Sequence, residues 1–121
     1  MTELVTLTEQ LKETLLTSLS RYEDCRKTKK VYDFYTEVKP LGDEVFQLTG
    51  EWKEKVFLWV QKNRPRNIHP PQIENVVEQI NELVVQSFYY QTSYKRFKST
   101  HQSALFTVDL VLSHLKENIH Q

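Results

Sequence analysis

Glycine and proline are scarce in this chain, two and four among 121 residues. An all-β protein needs both in its turns, so the shortage points to helices. Cysteine is scarcer still. Cys25 stands alone, which excludes an intramolecular disulfide and suits a reducing compartment. Its expected state is a buried structural thiol. Neither sign of charge is in excess, with 16 Lys and Arg against 16 Asp and Glu, so no global field draws the chain to nucleic acid or anionic lipid. No apolar run approaches a membrane span, and the first residues lack the basic-then-apolar pattern of a signal peptide. The reading is therefore a cytoplasmic protein with no membrane partner.

What is present is amphipathic helix. The length suits one domain, residues 1–121, large enough to bury its own core without disulfide or metal. In IENVVEQINELVVQSFYY, Ile73 to Tyr90, apolar residues fall at Ile73, Val76, Val77, Ile80, Leu83, Val84 and Phe88, with Ser87 on the same stripe. Steps of three and four draw one helical face, and Glu74, Glu78, Asn81 and Glu82 fill the other. A first helix is expected from Thr2 to Lys27, with Leu4, Leu7, Leu11, Leu15 and Tyr22 inside and Leu16 and Leu19 widening the face. Either Thr2 or Thr6, the latter with Glu9, has the right chemistry to cap it. Asp33 reads as the cap of a short helical piece carrying Phe34 and Val38, with Tyr32 packing back on the first helix.

Pro40 lacks an amide donor and crowds the preceding turn, so a break or kink is expected near Lys39, with Pro40 first in the main second helix. That helix runs to Asn63 with Leu41, Val45, Leu48, Trp52, Val56 and Trp59 inside. Two tryptophans seven apart on an inner stripe mark core before they mark a ligand box, and each indole N–H then needs a partner. Gly50 is the glycine expected to permit a close backbone approach. The prolines of NRPRNIHPP place a loop from Asn63 to His69, with Pro70 and Pro71 opening the third helix, which continues to Thr92. SYKRFK reads as a connector. Ser99 with Gln102, or Thr100, then caps a fourth helix bearing Leu105, Val108, Leu112, Leu115 and Ile119, flanked by Phe106 and Val111. Its tail, KENIHQ, is expected to fray. Short connections between long helices make neighbours antiparallel, so the predicted fold is an all-α, up-down-up-down four-helix bundle with its second helix broken or kinked near Pro40.

Four strings in order, YDFYTEVKP (Tyr32 to Pro40), RPRNIH (Arg64 to His69), ELVVQSFYY (Glu82 to Tyr90) and KRF (Lys95 to Phe97), resemble the YppE-like family of small cytosolic proteins from Gram-positive bacteria. The resemblance spans nearly the whole chain. It implies an all-helical bundle and brings no activity, substrate or catalytic residue with it.

Catalytic apparatus is not visible in the sequence. A carboxylate-bridged dimetal bundle needs paired Glu-x-x-His motifs, and only Glu117 with His120 has that spacing. The topology sets His69 and His101 at opposite ends of the bundle, with His114 near the far end of the last helix. Cys25 and His101 share an end, but one such pair makes neither a zinc site nor a triad. His101 itself is expected in a solvated first turn. No phosphate-cradling glycine loop, nucleophile elbow or HExxH string occurs. The reading is a protein without cofactor or catalytic metal, not an enzyme.

Two irregularities remain. Phe88, Tyr89, Tyr90 and Tyr94 wrap around the end of the third helix, so at least one of Tyr89 and Tyr90 must be partly exposed. The alternating topology also brings RKTKK and YKRFK to one end. Arg26, Lys27, Lys29, Lys30, Lys95, Arg96 and Lys98 are therefore candidate anion-binding residues, with Lys39 nearby and Tyr94 and Phe97 interleaved to stack on a base. The competing explanation is that each cluster merely caps its own helix C-terminus and is neutralised by Asp33, Asp43 and Glu44. On sequence alone the favoured function is a small accessory protein binding another protein; an anion or nucleic-acid binder is the alternative.

Overall fold

The computed structural model describes residues 2–120, with side chains through Glu117. Four helices, α1 (Thr2–Thr28), α2 (Lys39–Asn63), α3 (Pro70–Gln86) and α4 (Tyr94–His120), form an antiparallel bundle. The predicted all-α architecture is what the chain adopts. Cys25 is fully buried at the end of the α1 stripe, as expected of a structural thiol. The α1 helix stops where Lys29 turns left-handed, at φ 55°, and its N–H closes on the Cys25 carbonyl at 2.8 Å. Thr6 is not a cap; it lies inside the helix, its hydroxyl donating to the Thr2 carbonyl.

The kink at Pro40 takes the form of a π-helical turn, Phe34–Val38, running directly into α2. Asp33 caps it, its carboxylate accepting from the Thr36 amide and hydroxyl at 2.9 and 2.8 Å. The Val38 and Lys39 amides reach back five residues, to the carbonyls of Asp33 and Phe34. Pro40, second rather than first in α2, would crowd the carbonyl four residues back in an ordinary turn; the wider ring relieves that clash. Pro40→Ala is expected to keep the fold and shift stability by about 1 kcal/mol either way. The restored amide should also let the wide turn tighten, seen as new exchange protection across Val38 to Gly42. Protection unchanged from the parent would mean that something other than the proline holds the turn open.

The loop ahead of α3 falls at residues 64–69, where Arg64 and Asn67 are left-handed and Ile68 is buried. His69 and Gln72 cap α3 reciprocally, and Ile73, Val76, Ile80, Leu83 and Val84 all point inward. That stripe packs against α2, α4 and, across the core, α1. Each such side chain contributes about 1.5–3 kcal/mol of burial.

Two boundaries depart from expectation. The α3 helix ends at Gln86, not Thr92, because Ser87 turns its hydroxyl onto the Val84 carbonyl at 2.7 Å and Phe88 swings inward. The Phe88 ring lies beneath the Arg21 guanidinium, 4.5 Å away, with Tyr32 edge-on at 5.0 Å. Tyr32 thus packs on this ring. The α4 helix starts at Tyr94, well before Ser99, and Ser93 supplies the hydroxyl that accepts the Arg96 amide. Phe97, fully buried and stacked 4.0 Å from Tyr22, draws YKRFK into the helix.

Side-chain facing departs in fewer places. Trp52 is core, its Nε1 donating to the Thr8 hydroxyl at 2.9 Å; Trp59 is also buried, but its Nε1 has no partner. Leu16 and Phe106 point outward, 41% and 68% exposed, since the inner face of each helix is already filled. A side chain at Gly50 would meet nothing within 4 Å, so no close approach occurs there. The α4 tail at Ile119 and beyond, including His120 of the Glu-x-x-His pair, lies outside the described side chains.

Candidate functional site: the basic end of the bundle

The end formed by the α1 C-terminus and the α4 N-terminus is held together by Tyr22. Its ring stacks on Phe97 and its hydroxyl donates to the Thr92 carbonyl. Tyr94, 46% exposed, lies between the two basic stretches: Arg26 is 5.0 Å and Lys98 5.9 Å from its ring. Cations from both stretches therefore do meet, around one part-exposed ring that also stacks on Tyr22 at 6.4 Å. Lys95 and Arg96 are placed further round α4, in a shallow hollow shared with the hydroxyl-bearing Ser93, Ser99 and Thr100. Lys27 and Lys29 are exposed at the end of α1, whereas Lys30 turns away onto the Tyr32 ring at 4.5 Å. Phe97 is buried and unable to stack on a base.

The electrostatics of this end differ from simple helix capping. Lys95, Arg96 and Lys98 occupy the first turns of α4, where the helix dipole is already positive and cations are disfavoured. The acids nominated to neutralise the end are partly engaged elsewhere. Asp33 caps the π turn, and the hydrogen bonds from Thr36 hold its carboxyl below the usual range. Asp43 pairs with Lys39 at 2.7 Å. Among the described residues none of the seven candidate cations sits in an ion pair. Glu44 has no ion-pair partner among the described residues, and Glu23 and Asp24 are exposed on the same stretch of α1 as the basic residues.

Other chemistry-bearing residues are dispersed. His101 is 4% exposed, not solvated, and its Nε2 lies 2.7 Å from the Leu15 carbonyl. Its spacing, four residues after inward-facing Phe97, was the signal that placed it on the inner face. Cys25 is ten residues further along α1 than Leu15, about 15 Å by helical rise, so the two do not form a pair. Burial pushes the Cys25 thiol above its ordinary range, and its Sγ lies 3.5 Å from both the Phe88 and the Lys30 carbonyl, either of which can accept its one proton. Among the described residues no three of His, Cys, Asp and Glu are placed to hold a metal ion. No described helix is long and apolar enough to cross a membrane.

The second surface feature is an aromatic ledge beside the π turn. Phe34 and Tyr35 stand edge to face at 5.2 Å, and Phe34 and Phe46 border a hollow floored by Val38, Gly42 and Val85. Tyr35 and Phe46 are 76% and 69% exposed, more than any aromatic at the end of α3, where Tyr89 is 37% exposed. Periodicity did not flag the ledge, because the apolar residues outside the inner stripe carry no repeating pattern.

Fold and surface together define a small antiparallel four-helix bundle with a cationic end. The chain belongs to the bacterial family of unknown function DUF1798, whose model matches residues 8–115. It is 33% identical over 108 residues to the uncharacterized protein YppE of Bacillus subtilis, covering 89% of this chain and 88% of that one. The crystal structure of YppE superposes with a TM-score of 0.95 at 30% identity, covering 99% and 98% of the two chains. A protein of unknown function from Listeria innocua superposes equally well, at 0.95 with 28% identity, covering 99% of this chain and 96% of its own.

Proposed function

We propose that this protein is a cytoplasmic, non-enzymatic accessory protein that works by binding, and that its basic end holds a polyanion such as a nucleic-acid backbone. The observation that carries the reading is the position of Lys95, Arg96 and Lys98 at the start of α4, where helix capping gives no reason for them. Supporting it, Arg26 and Lys98 gather around the part-exposed Tyr94 ring, and three hydroxyl side chains border Lys95 and Arg96. Phosphate oxygens accept from donors of all these kinds.

Charge reversal at Lys29, Lys30, Lys95 and Arg96 is the test. The parent chain should bind a mixed-sequence oligonucleotide at about 50 mM salt and release it steeply as salt rises, because each phosphate contact liberates counterions. The reversed variant should lose that binding while its melting midpoint barely moves. Absence of binding by the parent at low salt would end the proposal.

A second reading, docking of another protein, is favoured by the aromatic ledge of Phe34, Tyr35 and Phe46. An exposed apolar cluster of this kind marks interaction sites more often than scattered surface residues do. That reading predicts that Tyr35→Ser with Phe46→Ser leaves oligonucleotide binding intact and abolishes recovery of a stoichiometric protein partner.

A further inference from the structure

On the outer side of the α1–α4 contact, Leu16 and Leu19 of α1 and Leu105 of α4 line a groove of about 620 Å³. That volume lies within the range of small-molecule sites. Leu16 is 41% exposed, while Leu19 and Leu105 are half-buried against the core, so the groove has an apolar wall within reach of a ligand. One turn beyond Leu16 and Leu105 the Lys12–Asp109 ion pair, at 2.9 Å, bridges the two helices. Towards the basic end Lys95 and Lys98 line the groove, and no acidic residue does. Among the described residues neither lysine has an ion-pair partner.

His101 stands on α4 between these lysines and Leu105; it is only 4% exposed and also lines the groove. Its Nε2 lies 2.7 Å from the Leu15 carbonyl, and a carbonyl only accepts, so Nε2 carries the hydrogen. In the neutral ring Nδ1 is then a bare acceptor. It has no partner in the protein, yet it is not sealed off as the unpartnered Ser18 Oγ and Trp59 Nε1 are. The groove is the opening that His101 borders, and a hydrogen-bond donor arriving there supplies what Nδ1 lacks.

Along α4 the groove thus selects for three groups in a fixed order. Lys95 and Lys98 attract an anion, and about 4.5 Å further along the helix His101 accepts from a donor. About 6 Å beyond that, Leu105 opposite Leu16 covers hydrocarbon. A carboxylate, a hydroxyl two carbons away and an alkyl tail meet these requirements in the same order. We infer that the α1–α4 groove binds a β-hydroxy fatty acid, with its carboxylate on Lys95 and Lys98, its hydroxyl donating to His101 Nδ1 and its tail over Leu16, Leu19 and Leu105. The two lysines also belong to the basic end, but His101 and the leucines do not, so this inference and the polyanion reading fail separately.

The probe is β-hydroxydecanoate, titrated into the full chain at low ionic strength, below its micelle concentration, by calorimetry and by amide chemical shifts. Saturable binding is expected, with shifts confined to residues 16–19 and 94–105. Decanoate, which lacks the hydroxyl, should bind about fivefold more weakly, the worth of one hydrogen bond to an enclosed acceptor. His101→Phe should erase that preference. Leu16→Asp, on the exposed wall, should weaken both ligands about tenfold or more and leave oligonucleotide binding unchanged. The inference is overturned if β-hydroxydecanoate shows no saturable binding, or if decanoate binds the parent chain as tightly. It is equally overturned if decyltrimethylammonium, with the same tail and the opposite charge, binds as well, or if a folded His101→Phe keeps the preference. The comparison of ligands on the parent chain decides the matter even where that variant does not fold.

Discussion

Phe97→Ala is expected to cost about 3–5 kcal/mol, the range for emptying an aromatic site in a packed core. The ring is fully buried between Tyr22, at 4.0 Å, and His101, at 6.1 Å, so three stacked rings tie α4 to α1. Truncation removes the middle of that stack and takes away the inward anchor that recruits the first turns of α4. Since a whole domain is stable by only about 5–15 kcal/mol, the variant should unfold at markedly lower denaturant concentration. Phe106→Ala supplies the contrast. That ring is 68% exposed, and its loss should fall within about 0.5 kcal/mol of neutral. Equal destabilisation by the two substitutions would contradict an α4 that turns Phe97 inward and Phe106 outward.

Leu83→Ala should cost about 2–5 kcal/mol, combining lost burial with the cavity that neighbours fail to fill. Leu83 has no solvent exposure and sits in the α3 stripe, which packs against every other helix, so collapse on one side opens a gap on another. Glu78→Ala, exposed on the same helix, should lie within about 0.5 kcal/mol of neutral. Denaturant melts with an unchanged slope would isolate the stability difference. A small loss at Leu83 would mean that the core around α3 can relax into the vacancy.

The candidate sites were legible to different degrees. The basic stretches are visible as RKTKK and YKRFK, and the alternating topology alone brings them to one end. Their meaning changed with one boundary. Read as a connector, YKRFK sits past a helix C-terminus, where cations are ordinary; as the first turns of α4, it sits where they are disfavoured. The cleft between α1 and α2 was not legible at all. Glu13, Glu44 and Glu51 look like ordinary solvated glutamates along two helices, and only the separation of α1 from α2 sets them along a shared groove.

By itself the sequence determined the helical class, the kink and most of the core. Spacings of three and four fix which residues face inward, and Pro40 cannot sit in an undisturbed turn whatever surrounds it. The first and second helix ends were likewise readable, since basic residues close α1 and the prolines after Asn63 leave α2 nowhere to continue. Tertiary structure decided the rest. Ser87 to Thr92 could continue a helix on local preference, but Phe88 reaches its place under Arg21 only if the backbone turns. Ser99 is as good a cap as Ser93 by residue type. What selects Ser93 is the burial of Phe97 and His101 four residues apart against α1, worth more than any cap and visible only once α1 is there to receive them.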